Sequence, residues 1–416
     1  MHFSALWRRP DFVKLWAGQT VSLFGSQLTS LALPMTAVLA LRATPMQLGL
    51  LGVAQNAPFL LIALFAGVWI DRVRRRPILI LSDVGRGVTL AYVPVAAAFG
   101  SLRIEHLYVV AFLLASMTLV FDVAHIAFLS SLIRRAELTD GNGKLHLSRS
   151  LASIIGPGVA GYLLQLFAAP VVIFGDAASF LVSAIFLRSI RRPELRLVRS
   201  QERPCAWAEV RAGVHTVWAD RTLRSITARN CTFNLFASFP AIYLLFLTQD
   251  LALPAGVIGL VMAIGGVGGL VGAFLAGPVA RKLGVGPAIA VAATAEGIAG
   301  LFAPLAVGPR PMQLALLGVG QFACGLGGLV YGINQLSLRQ ACTPASLHGR
   351  VNATIRFLVF GAAPLGSLLG GILAESLGLR ATLVVAAIGM ASSSVWIVCS
   401  PLREMHAAPG LEASAG

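Results

Sequence analysis

Apolar residues in this chain come in long unbroken blocks, and polar residues gather in the short stretches between them. Leu48 to Ile70 contains no charge, and Ile226 to Leu247 contains only Arg229. About 20 apolar residues, rising 1.5 Å each, cross a hydrocarbon layer of roughly 30 Å. Nothing in lipid satisfies an open N–H or C=O, so each block is predicted to be a helix. The pattern gives twelve spans: Phe12–Leu41, Leu48–Ile70, Ile78–Phe99, Leu107–Ile133, Leu147–Phe167, Val171–Ile190, Ile226–Leu247, Gly256–Val279, Gly286–Val307, Met312–Leu336, Val351–Ala374 and Ala381–Ser400. The first lacks a small-residue cleavage site and runs straight into the second, so it is expected to be retained.

The stretch from Arg191 to Ser225 is the one long polar segment, and it divides the spans six and six. This predicts a six-helix bundle over 1–190, a cytoplasmic linker over 191–225, a second six-helix bundle over 226–402 and a short cytoplasmic tail over 403–416. Within the linker, Trp207, Val210, Val214, Val217 and Trp218 share one helical face, as in a helix lying along the membrane surface. The two halves also repeat. Leu33-Pro34 matches Phe239-Pro240 at an offset of 206, Gly67 matches Gly277 at 210, and Pro157 matches Pro364 at 207. Six spans per half make the repeats parallel, the arrangement of transporters whose two bundles rock about a midplane site.

Composition agrees with this reading. Of 416 residues, 57% are hydrophobic and 12% charged, about half the charged share of a soluble domain. The net charge of +15 would suit nucleic acid, but its placement indicates topology and not a nucleic-acid partner. Arg8, Arg9, Lys14, Arg72, Arg74 to Arg76, Arg134, Arg135, Lys144, Arg149 and the arginines from Arg188 to Arg224 fall on one side, and Arg42, Arg103, Arg310 and Arg380 on the other. By the positive-inside rule both termini are cytoplasmic and the chain is a multi-pass inner-membrane protein. The cysteines, Cys205, Cys231, Cys324, Cys342 and Cys399, are scattered and predict neither a disulfide framework nor a metal cluster.

After the second span the chain reads Gly67-Val-Trp-Ile-Asp71-Arg72-Val-Arg74-Arg75-Arg76. Gly67 permits close helix approach, Asp71 can face a helix N-terminus, and Arg72, Arg75 and Arg76 can pair with carboxylates. This G-x-x-x-D-R-x-x-R-R pattern resembles the cytoplasmic loop signature of the major facilitator superfamily, in which the loop latches the halves shut. Gly156-Pro157-Gly158-Val159-Ala160-Gly161 in the fifth span is similar to the antiporter element of that family, with Ala160 where the fuller pattern has glycine. Leu23-Phe-Gly25-Ser26-Gln27, Asp83-Val-Gly-Arg86, Asp176-Ala-Ala-Ser179-Phe180 and Arg350-Val-Asn352 resemble a bacterial branch of macrolide-efflux and enterobactin-exporter-like proteins. The likeness runs from Leu6 to about Leu402 and implies an all-α membrane fold of two parallel six-helix bundles.

Ionisable residues inside spans are costly and so are functional candidates. Here they are Asp83, Arg86, Asp122, Asp176, Glu296 and Arg356, with Asp83 and Arg86 placed to pair. The resemblance implies that the first, fourth, seventh and tenth helices line the cavity. That singles out Asp122, as a gate partner of Arg72 or Arg75, as the site of a coupling proton or cationic substrate beside His125, or as a structural group. Cavity candidates are Gln27, Asn230, Asn234, Tyr243 and Gln321, with Phe121, Phe233, Phe236 and Phe322; aromatics with a few amides suit a large amphipathic solute. Gly265, Gly266, Gly268, Gly269 and Gly272 imitate a phosphate loop but lack its Lys-Ser/Thr and its strand, and their G-x-x-x-G spacing predicts helix packing.

These features argue against an enzyme, for want of a convergent catalytic set, and predict no cofactor and no metal. They favour an ion-coupled exporter, a proton antiporter of drugs, macrolides or siderophores that works as a monomer. A metabolite importer or facilitator would share the fold, and a membrane enzyme or receptor is the reading from another class.

Overall fold

The computed structural model describes residues 5–70, 73–134, 137–191, 206–344 and 347–405. They form helices throughout: α1 (Pro10–Ala40), α2 (Pro45–Ile70), α3 (Arg75–Ala98), α4 (Ile104–Leu132), α5 (Leu138–Leu166), α6 (Ala169–Ser189), α7 (Ala206–Ala219), α8 (Arg221–Asp250), α9 (Ala255–Leu283), α10 (Val285–Phe302), α11 (Arg310–Cys342), α12 (His348–Leu377) and α13 (Leu379–Val398). Among the described residues ten of these are long and apolar enough to cross a membrane. With α2 and α5 they make the twelve spans of an all-α membrane fold. The apolar surface left outside the packing is what lipid requires: Leu81, Val88, Ile126, Ile185, Phe274 and Leu365 are all more than 60% exposed.

Most predicted boundaries lie within five residues of the observed ones. The exceptions are α11, which ends at Cys342, six residues past the predicted Leu336, and α5, which starts at Leu138, nine residues before the predicted Leu147. Its first turns carry Asp140, Lys144, His146 and Arg149, and the Lys144–Asp140 bridge of 3.0 Å spans one turn of this polar end. Apolar periodicity cannot register a helix that runs on past the hydrocarbon.

The chain divides into two compact units, 1–201 with Leu253–Leu260, and 202–252 with 261–416. In the first, α1 packs on α5 and α6, α3 on α4 and α6, and α2 on α4. The end of α6 is gripped from two sides: Arg76 donates to the Leu187 and Arg188 carbonyls at 3.1 and 2.7 Å, and Lys14 donates to the Ser189 carbonyl at 2.7 Å. Cations there satisfy the orphan acceptors and complement the helix dipole. In the second unit α8 packs on α12 and α13, and α10 on α11 and α13. Helix α7 belongs to this unit and lies on α12, with Val217 buried against Leu223, Val351 and Ile355. Trp218, its neighbour, is 60% exposed.

The repeat is written in the backbone. Both α1 and α8 end in a π-helical turn, Thr36–Ala40 and Phe246–Asp250, and each is followed by a non-glycine residue at positive φ, Arg42 (51°) and Ala252 (44°). Each pair is 210 residues apart, as are Gly67 and Gly277 and the starts of α5 and α12. The matched prolines, at offsets of 206 and 207, therefore sit about one turn out of structural register; they share a face, not a position. Small residues close equivalent crossings. A Cβ on Gly87 would stand 3.0 Å from the Leu181 side chain, and one on Gly297 2.6 Å from the Ala391 Cα. In α9 the glycine run packs on α11 as its spacing predicts: a Cβ on Gly272 would lie 2.5 Å from the Leu326 carbonyl oxygen.

The Gly297 crossing meets backbone, which cannot step aside. Gly297→Val should lower the melting temperature of the detergent-purified protein by an amount equivalent to roughly 1–3 kcal/mol. Gly143→Ala, where nothing stands within 4 Å of the added Cβ, should leave it unchanged or slightly raised. Thiol-dye thermal unfolding of the two variants checks the pair.

Candidate functional site

Each unit encloses an arginine that its sequence places in the membrane. In the first unit Arg86 and Asp83, one turn apart on α3, form a pair whose side chains are almost wholly buried. The guanidinium lies between two rings, Phe121 of α4 and Phe180 of α6, each 4.2 Å from it. Cation–π attraction is worth more in such a dry setting than at a surface. Asp122 and Asp176 also act on the Arg86 charge. Asp176 is held on α6 by Ser179, whose hydroxyl donates to its carboxylate at 2.9 Å, and Gly25 of α1 leaves room for both. Asp122, next to Phe121 on α4, is exposed. One turn on, His125 stacks on Phe121 with ring centroids 5.7 Å apart. Three carboxylates, from α3, α4 and α6, thus act on one cation, and Asp122 is the exposed one of the three.

The second unit builds a related cluster from other helices. Arg229 of α8 pairs with Glu296 of α10, and its guanidinium lies between Phe233 and Tyr331, at 4.4 and 3.7 Å. Tyr331 donates its hydroxyl to the Asn230 side chain at 2.9 Å. The 210-residue repeat sets Glu296 at the position of Arg86 and Tyr331 at that of Phe121. The aromatic platform is kept and the charge on the third helix of the repeat is inverted. Among the described residues the Nε atoms of both buried arginines lack a hydrogen-bond partner.

Several predicted site residues come together. Gln321 donates its side-chain amide to the Tyr243 hydroxyl at 3.1 Å, and Asn234 donates to the Asn230 carbonyl at 3.1 Å. Gln27 packs on Gly156, where a Cβ would collide with it. Gly161 meets the start of α9, the segment grouped with its own unit: a Cβ there would stand 2.6 Å from the Ala255 carbonyl oxygen and 2.8 Å from the Gly259 Cα, and Gly259 in turn rests on the Pro157 carbonyl. Of the loop motif, Gly67 lies in the last turn of α2, which ends at Ile70, and Arg75 and Arg76 open α3. Asp71 and Arg72 lie outside the described residues. Phe121, a predicted cavity wall, is 1% exposed because it serves as a platform for Arg86. Arg229 and Tyr331 were not among the predicted site residues. The available signal was the single charge interrupting the seventh span, which needs a buried partner.

The family model described as "Transmembrane secretion effector" matches residues 3–414. The chain is 26% identical over 419 residues to the multidrug efflux pump Tap of Mycobacterium tuberculosis, covering 97% of this chain and 96% of that one. It is 27% identical over 187 residues to macrolide efflux protein A of Streptococcus pyogenes, covering 44% and 45%. Its fold is similar to that of a bacterial homologue of the iron transporter ferroportin in the inward-facing state, with a TM-score of 0.76 at 17% identity over 95% of this chain and 99% of that one.

Removing one partner of a buried ion pair strands the other, at a cost of about 3–5 kcal/mol, whereas replacing both with apolar groups is close to neutral. Glu296→Leu should therefore markedly lower the thermal stability of the purified protein. The double variant Arg229→Met/Glu296→Leu should recover most of it. A double variant no more stable than the single one would remove the pairing as the reason Arg229 is tolerated.

Proposed function

The chain belongs to the transmembrane secretion effector family of the major facilitator superfamily, and from that premise we propose that it exports amphipathic small molecules, such as drugs, macrolides or siderophores, in exchange for protons. The observation that carries this reading is similarity along almost the whole chain to multidrug efflux pumps, joined to the arginine–carboxylate cluster of the first unit. The excess of Lys and Arg in alternate loops supports a plasma-membrane protein with both termini in the cytoplasm. A single copy holds both units and suffices for alternating access.

Asp122 is the coupling group of this proposal. Exposed yet within the field of Arg86, it can exchange a proton while its ionisation alters the balance of charge around a fixed cation. Proton and substrate then compete for the same negative centre, and whichever is bound biases the conformational equilibrium by its differential affinity for the two states. The loop from Gly67 to Arg76 acts as the cytoplasmic latch. The close approach at Gly156, Pro157 and Gly161 excludes side chains from a helix crossing that must seal. Gln27, Asn230, Asn234, Tyr243 and Gln321 offer a few polar contacts among apolar walls. A proton driven inward supplies about 2.3 kcal/mol per 100 mV and about 1.4 kcal/mol per pH unit, enough for roughly a hundredfold substrate gradient.

In proteoliposomes an imposed pH gradient should drive uptake or release of a macrolide or a cationic dye, and a protonophore should abolish it. Flux that follows substrate concentration alone would make the protein a facilitator. Asp122→Asn should lose gradient-driven transport at least tenfold yet keep substrate exchange, and loss of both together would remove Asp122 as the coupling group. Asp71→Asn, by releasing the latch, should cut transport severely at near-normal membrane expression. Wild-type transport by a well-expressed variant would dismiss the latch.

A further inference from the structure

Where α1 begins and α4 ends, the first unit forms an open cavity of about 340 Å³ lined by Arg8, Arg9, Pro10, Asp11, Phe12, Leu132 and Arg134. We propose that it binds the phosphate group of an anionic phospholipid. This rests on the membrane placement of the helices, not on the identity of what is exported.

The charges around the cavity do not cancel. Asp11 is already committed: its carboxylate accepts from the Arg191 N–H at 3.2 Å and lies 3.7 Å from the Lys14 ammonium. Arg9 is paired with Glu137 at 2.9 Å. Among the described residues the guanidinium groups of Arg8 and Arg134, both exposed, have no acidic partner. Two unmatched forks therefore border one cavity, and planar guanidinium groups suit the oxygens of a phosphate. The α1 helix starts at this cavity without a side-chain cap on its first turn, so its dipole adds to the attraction for an anion.

The other walls favour a lipid over a free ion. Phe12 and Leu132, 1% and 4% exposed, give the cavity an apolar floor, which a phosphate bearing a glycerol and acyl chains covers and inorganic phosphate leaves wet. The depth is right as well. The turn Ala5–Arg8 is pinned by buried Leu6, and Trp7 beside it stands edge-on to Trp16 at 4.8 Å, with the Lys144 ammonium 5.1 Å from its ring. An exposed tryptophan flanked by cations marks the headgroup level of a bilayer. Basic pockets between helices at that level are where anionic headgroups bind.

The test uses full-length, delipidated protein in detergent, titrated with short-chain phosphatidylglycerol and followed by native mass spectrometry. Arg8→Gln/Arg134→Gln should weaken binding about tenfold or more, and Arg8→Gln alone about threefold. Arg103→Gln, which removes one charge at the opposite end of α4, should change nothing. Phosphatidylcholine should bind at least tenfold more weakly than phosphatidylglycerol, and millimolar inorganic phosphate should not displace the lipid. Unchanged affinity in the double variant would overturn the site. Equal binding of phosphatidylcholine would overturn recognition by charge, and displacement by inorganic phosphate would assign the cavity to a soluble anion. The double variant should elute as a monodisperse species; if it does not, unchanged affinity in Arg8→Gln is itself the overturning result.

Discussion

A charge carried into hydrocarbon must bring its own solvation with it, and both units are organised around meeting that demand. Arg86 has Asp83 on its own helix, and Arg229 has Glu296 on another; each guanidinium is closed in by two aromatic faces. The rings cover what the carboxylate cannot. Helices α3, α4 and α6 meet at one such centre and α8, α10 and α11 at the other, so the same groups that carry charge also hold these helices together. The residues that hold each bundle together are thus also its buried charges.

The basic residues serve a second role at the surface. Arg76 and Lys14 close the end of α6 on its carbonyls, whereas Arg8 and Arg134 stand open beside an apolar-floored cavity. The basic residues at these helix ends thus sort into charges spent on the fold and charges with no acidic partner among the described residues. Counting arginines in loops predicts orientation but does not distinguish the two uses.

Much of the fold was legible in the sequence because the membrane enforces a simple rule, an apolar run of sufficient length wherever a helix crosses. The rule fails where helix continues into water, as it does at the start of α5. The repeat was legible only approximately, since prolines mark a helical face whereas the π-helical turns and the positive φ values of Arg42 and Ala252 mark a residue. Of the candidate site, the Asp83–Arg86 pair followed from spacing alone, and the Gln321–Tyr243 and Gln27–Gly156 contacts joined residues nominated separately. The role of Phe121 was missed because cavity wall and buried platform call for the same aromatic, and only packing separates them.

The 210-residue register holds from the π-helical turns to the starts of α5 and α12, which means that neither copy of the ancestral unit has gained or lost a net residue across that interval. One insertion within a helix would have turned every later side chain by about 100°, exchanging lipid-facing for core-facing positions. Between those landmarks the two copies keep one register while their residues diverge. An arginine in one copy answers to a glutamate in the other, so the two halves carry opposite charges at one position of their shared register.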